Sequence, residues 1–403
     1  MPEKNPLENQ SKLELLAQEV GKVLDIEGLK LGGTQDPYHV QYFGQLKLPS
    51  EVAYDQLSTT LLPLGFTALF RRSEDKHLII IKRGLISAVP GRKGINALLF
   101  VITFISILLA GLLTSYTGPE TDNLGVIWAH LTDNLGPALA FTFSMLGILT
   151  THEFGHYFAA RYHGTTVTLP YFIPFPLSPF GTMGAFIRML EPPKNKKVLL
   201  DIGLAGPLAG LVVAIPILIK GLSLSRVDVL PAVLPEGLFF EGNSILYLVL
   251  KYLVHGSWLP KPLSYGSLPP LLYWVEFFFT GKPLPLGGVD VMIHPMAWAG
   301  WAGLLITSLN LLPVGQLDGG HLIYSLFGDR GKWIRPVVVI VLFALGFLWS
   351  GWWVWVFIIL LLGNRRAEPL DEITELNPLR KAVAILGLVI FFLIFMPVPI
   401  ISI

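Results

Sequence analysis

No charged side chain occurs between Gly94 and Pro119, a run longer than the ~20 residues that carry a helix across ~30 Å of hydrocarbon. Comparable apolar stretches follow at roughly Leu135 to Ala160, Val198 to Ile219, Pro295 to Leu317 and Ala382 to Pro397. Pro336 to Asn364 exceeds one span, and Ser350-Gly351 near its middle suits a tight hairpin of two short helices. Two shorter runs between Glu241 and Gly281 are expected to be re-entrant or interfacial. The whole chain is 52% hydrophobic and 14% charged, against about 25% charged in soluble domains. The reading is an α-helical polytopic membrane protein, with about six to eight transmembrane helices across residues 94–403.

Residues 1–93 read instead as a small soluble α+β domain. Leu13, Leu16, Val20 and Val23 recur at helical spacing and Val40 to Leu48 reads as a strand. Ser50 is expected to cap a second helix with Ala53, Leu57 and Leu61 on one face, and strands near Phe66 to Arg72 and His77 to Lys82 follow across a charged turn. Such a module either supports the membrane region or binds a cytoplasmic partner. The opening residues lack the apolar core of a secretory signal, so the domain is expected on the cytoplasmic side.

Lys and Arg favour the cytoplasmic face in short loops. Lys82, Arg83, Arg92 and Lys93 precede the first span, none occurs from Gly94 to Ala160, and the next loop holds Glu120, Asp122 and Asp133. Arg161, Arg188, Lys194, Lys196 and Lys197 then crowd the connection to the third span. The second span therefore runs from outside to inside. A hairpin over 336–364 keeps Arg365, Arg366, Arg380 and Lys381 inside as well.

The net charge of +1, without a basic run, gives no reason to expect nucleic acid as a partner. With no cysteine in the chain, a transition metal has only His and carboxylate to hold it. Thr151 to Tyr157 reads THEFGHY. At about 3.6 residues per turn, His152 and His156 project from one helical face and can share one metal ion. Glu153, beside His152, is placed to activate a water without being a ligand itself. Ionisable groups within a span cost about 3 kcal/mol each on insertion scales, and a divalent cation compensates several at once. Zinc held by two histidines commonly takes a third protein ligand and leaves a position for water. Asp318, read as ending the fourth span, supplies a candidate at a similar depth, since that span also runs from outside to inside.

HEFGH near the inner end of one span, followed later by Asn310-x-x-Pro313-x-x-x-Leu317-Asp318-Gly319, resembles the site-2 protease family of intramembrane zinc metalloproteases, peptidase family M50. The likeness covers roughly Gly94 to Asp329, and the run Gly203 to Gly210 resembles the Gly-Pro segment that members carry between the motifs. Residues His294 to Gly300 and Gln316 to His321 are most similar to the bacterial and chloroplast branch without a PDZ insertion. The resemblance implies one zinc ion per chain, held by His152, His156 and Asp318, with Glu153 as general base. It implies hydrolysis of peptide bonds within or near the transmembrane segments of a membrane protein substrate, expected to be single-span, in the lipid bilayer. Asn310 matches the family's asparagine and suits three roles: orienting the helix of Asp318, donating to the substrate carbonyl, or bonding two helices together.

A helical substrate has its backbone groups bonded internally and must unwind before it is cut. Pro170, Pro174, Pro176 and Pro179 exclude an ordinary helix, and Gly181 to Arg188 then reads as extended. This segment, with Gly181 and Gly184, is either a plain connection or a strand edge that receives the unwound substrate. His163 and His321 are not expected to be ligands, Gly206, Pro207 and Gly210 are expected to let helices approach, and Trp352, Trp353 and Trp355 to form an interfacial belt. A metal-ion transporter or a non-catalytic membrane scaffold are the competing functions. Glu153 beside the histidines, and the lack of internal repeats, favour hydrolysis.

Overall fold

A computed structural model describes residues 6–33, 36, 38–84, 91–114, 123–231, 239–362 and 368–402. Glu120, Asp122, Arg365 and Arg366, used above to orient the chain, lie outside the described residues.

The chain begins with α1 (Pro6–Gly21), β1 (Leu24–Leu31), β2 (Val40–Leu46), α2 (Ser50–Leu61), β3 (Phe66–Ser73) and β4 (Lys76–Arg83). The four strands form one antiparallel sheet in the order β1-β2-β4-β3. Leu16, Val20, Ala53, Leu57 and Leu61 from the helices bury one sheet face against Tyr42, Phe70, Ile79 and Ile81. Strand β1 escaped the sequence reading because LDIEGLKL interleaves charges with apolar residues, and most of it stays exposed at the sheet edge. Ser50 is not the cap of α2: Pro49 takes that position, and the Ser50 hydroxyl donates instead to Asp371 Oδ1 at 2.7 Å.

Three helices among the described residues are long and apolar enough to cross a membrane: α3 (Lys93–Thr114), α5 (Leu135–Tyr162) and α6 (Lys196–Leu224). A short α4 (Leu124–Asp133) precedes α5. Between α5 and α6 lies the hairpin of β5 (Tyr171–Pro174) and β6 (Thr182–Phe186), packed against α3. Asn195 starts α6, its side chain accepting from the amides of Lys197 and Val198 at 3.1 Å. Beyond α6 come β7 (Arg226–Val229), β8 (Phe239–Glu241), α7 (Ile245–His255), α8 (Pro270–Thr280) and β9 (Val289–Met292). At 11 residues each, α7 and α8 are too short to span.

Helix α9 (Pro295–Asn310) packs against α5 and α6, and Trp301 is fully buried in the resulting core, its indole N–H donating to the Gly242 carbonyl at 2.8 Å. The expected fourth span to Leu317 stops seven residues early, because Pro313 and Gly315 (φ 60°) turn the chain. Asp318 therefore opens a new helix, α10 (Asp318–Phe327), rather than ending α9, and a carboxylate suits that N-terminus. Next follow α11 (Ile334–Leu345) and α12 (Gly351–Leu362), two short helices packed on each other with the break where Ser350-Gly351 lies. The chain closes with α13 (Pro378–Ile394) and β10 (Ile400–Ser402), which pairs with β8. Trp352 departs from the expected belt: it is fully buried, and its indole N–H donates to the Pro397 carbonyl at 2.6 Å.

Candidate active site

Histidines 152 and 156 stand one turn apart on α5, and both are buried. The Nδ1–H of His156 donates to the Ile202 carbonyl on α6 at 2.7 Å. A carbonyl only accepts, so this bond fixes the tautomer and leaves the Nε2 lone pair free. Near that atom, His152 Nε2 lies 3.2 Å away and Asp318 Oδ2 3.4 Å away. His152 Nε2 is 3.5 Å from the same carboxylate oxygen. Three electron-rich atoms converge on one point, an arrangement that asks for positive charge between them.

The triangle also has the dimensions of a metal site. Ligand bonds of ~2.0–2.1 Å in tetrahedral geometry place neighbouring donors roughly 3.3 Å apart, and the three edges here run from 3.2 to 3.5 Å. His152, His156 and Asp318 form the only such group of His, Asp or Glu among the described residues. His163 takes no part, since its Nε2 pairs with Asp201 at 3.0 Å. His321 is buried at the same cleft but outside the triangle.

Glycine in α6 makes room for the rings. A Cβ at Gly206 would stand 2.0 Å from His156 Nε2, and one at Gly210 would stand 3.1 Å from His152 Nδ1. The close approach expected of these glycines is thus an approach to the imidazoles themselves.

Glu153 is buried next to the triangle, and Ile187, just past β6, lines the same cleft. The Asn310 amide, at the end of α9, lies 3.3 Å from His152 Nε2. These groups line a cleft of about 800 Å³ whose wall continues through Ala185 to Glu191. Gly184 and Gly181 belong to the hairpin rather than to the triangle. Gly181 (φ 70°) presses on α3, where its carbonyl accepts from Ser106 Oγ at 2.6 Å, and Gly184 (φ 103°) donates its amide to Thr182 Oγ1 at 3.0 Å. Strand β6 pairs with β5 on one side, and no strand among the described residues pairs with its other edge.

One partner was not visible in the sequence. The Ile202 carbonyl is a backbone group, and no residue type marks it; the Gly203 to Gly210 run was the one signal that α6 meets the histidines.

A model of peptidase family M50 matches residues 140–349, just over half of the chain. The probable chloroplastic zinc metalloprotease EGY1 of Arabidopsis thaliana is 31% identical over 266 residues, covering 65% of this chain and 43% of the relative. Its counterpart EGY1 in Oryza sativa subsp. japonica is 28% identical over 319 residues, 75% of this chain and 50% of the relative. EGY2 of Arabidopsis thaliana, also a probable chloroplastic zinc metalloprotease, is 28% identical over 386 residues, 91% of this chain and 62% of the relative. The chain thus spans about half the length of the relatives it matches. No solved structure matches it. The matched segment holds both histidines, Glu153, Asn310 and Asp318, and the chain belongs to peptidase family M50.

Proposed function

We propose that this protein is an intramembrane zinc metalloprotease that hydrolyses peptide bonds within or near the transmembrane segment of a single-span membrane protein. The observation that carries this reading is the triangle of His152, His156 and Asp318 with Glu153 against it. One zinc ion per chain fits the three donors. When bound, such an ion acts as a Lewis acid towards the peptide carbonyl and brings the pKa of water towards ~7.

Glu153 takes a proton from the attacking water as the hydroxyl oxygen bonds to the carbonyl carbon, then returns that proton to the nitrogen as the C–N bond breaks. Asn310 is within reach of a carbonyl oxygen brought to the triangle and donates to it as negative charge develops there. The free edge of β6 receives the unwound substrate by backbone hydrogen bonds, which aligns the scissile bond with the base. Such a protein is integral and multi-pass, with about six to eight spans. Its N-terminal domain and site lie towards the cytoplasmic face, on the distribution of cations in the loops.

Purified protein with and without Glu153→Gln, incubated in detergent with a single-span substrate and assayed for zinc, tests the reading. Wild type is expected to cut and the variant to lose activity by about 10²–10⁴-fold with zinc retained. Equal cutting by both sinks the role of Glu153. Zinc bound by a wild type that cuts no substrate favours a transporter or scaffold.

A further inference from the structure

One wall of the catalytic cleft does not come from the membrane region. Beside His152, Glu153 and His156 the cleft is lined by Leu69 and Arg71 of β3 and by Lys82 of β4. In the register of this sheet Thr67 faces Lys82, Leu69 faces Ile80 and Arg71 faces Leu78, while Ile80 and Leu78 adjoin Gln41 and Phe43 of β2. Strand alternation puts all of these on the sheet face opposite α1 and α2. That face has an apolar centre of Phe43, Leu69, Leu78 and Ile80, flanked by cations where it meets the cleft.

The cations are not equivalent. Arg71 is held by Glu368 at 3.7 Å and Glu372 at 3.5 Å, and also donates to the carbonyls of Pro369 and Leu370. Lys82 and Arg188, the latter just past β6 on the same cleft, have no carboxylate within pairing distance among the described residues. Glu191 and Glu368 are the acidic residues of that rim, and Glu368 is already engaged by Arg71.

We infer that this face of the N-terminal sheet is a substrate exosite: the flank of the polypeptide seated along β6 continues onto β3 and β4, where Lys82 and Arg188 select acidic residues. The occupant is the substrate's own flank, because the face is continuous with the cleft in which the scissile bond must lie. The apolar centre takes side chains of the unwound segment, and the two cations read its charge. The inference rests on the proteolytic reading above and assigns the N-terminal domain a part in choosing what is cut.

The test is a binding measurement on the full chain carrying Glu153→Gln, loaded with zinc in detergent. Two fluorescent single-span peptides are compared, identical except for an acidic or a lysine-rich flank on the side of the N-terminal domain. The acidic flank is expected to bind about tenfold tighter, from two partly screened surface pairs, with the difference shrinking as salt is raised. Adding Lys82→Glu and Arg188→Glu should reverse the order, so that the lysine-rich peptide gains affinity, which misfolding does not produce. Equal affinity for both flanks in the parent overturns the inference, as does any result in the double variant other than that gain. Cleavage by the protein with Glu153 intact is followed in parallel: its absence overturns the protease reading, while the binding order alone judges the exosite.

Discussion

At the scale of single residues, the site is shaped as much by what is missing as by what is present. A methyl group on residue 206 has no space, since it would stand 2.0 Å from His156 Nε2, backed by the helix that also supplies the Ile202 carbonyl. Gly206→Ala should therefore push the imidazole off the triangle and weaken zinc binding by about 10–100-fold, the range seen when groups that orient a ligand are lost. Gly147→Ala, on the same helix as the histidines with nothing within 4 Å of the added carbon, should leave affinity unchanged. Competition with a metal chelator measures both; equal affinities would remove the steric account. The sequence already marked His152 and His156 by residue type and spacing, Glu153 by its place beside them, and Asp318 as a carboxylate at a similar depth. It marked Gly206 and Gly210 as sites of close packing, but not what packs there. Trp352 shows the opposite failure: an aromatic in an apolar run looks the same whether it meets lipid headgroups or a Pro397 carbonyl in the core.

Among the elements, the β5–β6 hairpin was legible only in outline. Its prolines exclude a helix, yet neither the pairing of Tyr171 with Phe186 nor the bulge before Pro174 follows from composition. The physical reason is that strand pairing is set by partners, here α3 on one side and the cleft on the other. Helix α9 gave a related error, since apolarity continues to Leu317 although Pro313 and Gly315 end the helix first. Gly184 offers a way to separate the hairpin's role from that of the metal. Proline there demands φ near about −65° and removes a donor, whereas the residue sits at φ 103° and bonds Thr182 Oγ1. Gly184→Pro is expected to lower cleavage by at least about tenfold while zinc content stays constant, because a near-attack geometry lost by ~1 Å costs more than that. Unaltered cleavage, followed on a gel with zinc assayed in the same preparation, would end the strand-edge proposal.

The whole molecule is closed by a strap that no local pattern announces. Residues after α12 run along the open edge of β3: the Phe70 amide donates to the Leu370 carbonyl at 2.8 Å, and the Glu372 amide to the Phe70 carbonyl at 3.1 Å. The same strap bonds back to the start of α6, where the amides of Leu370 and Asp371 donate to Pro193 and Lys194. Around it, Lys197 reaches Glu51 and Lys194 reaches Asp55, each at 2.6 Å. The Lys197 bond holds the Glu51 carboxyl below its ordinary range. Exposed pairs of this kind contribute little, about 0–1 kcal/mol each, so the fastening has to rest on what is buried. Asp371 is fully buried and accepts from Ser50 Oγ, Thr374 Oγ1 and the amides of Ile373 and Thr374. Contacts separated by nearly 300 positions, as between Arg71 and Leu370, leave no periodic trace in a sequence. Asp371→Ala strips several buried hydrogen bonds, each worth about 1.5–3 kcal/mol when a charge is involved. Hydrogen exchange at the Phe70 amide should then accelerate by at least about tenfold, while the Ile79 amide inside the sheet keeps its protection. Equal acceleration at both would mean that the domain has unfolded rather than let go. No acceleration at Phe70 would place the fastening in the lysine pairs, and with it the alignment of β3 over the cleft.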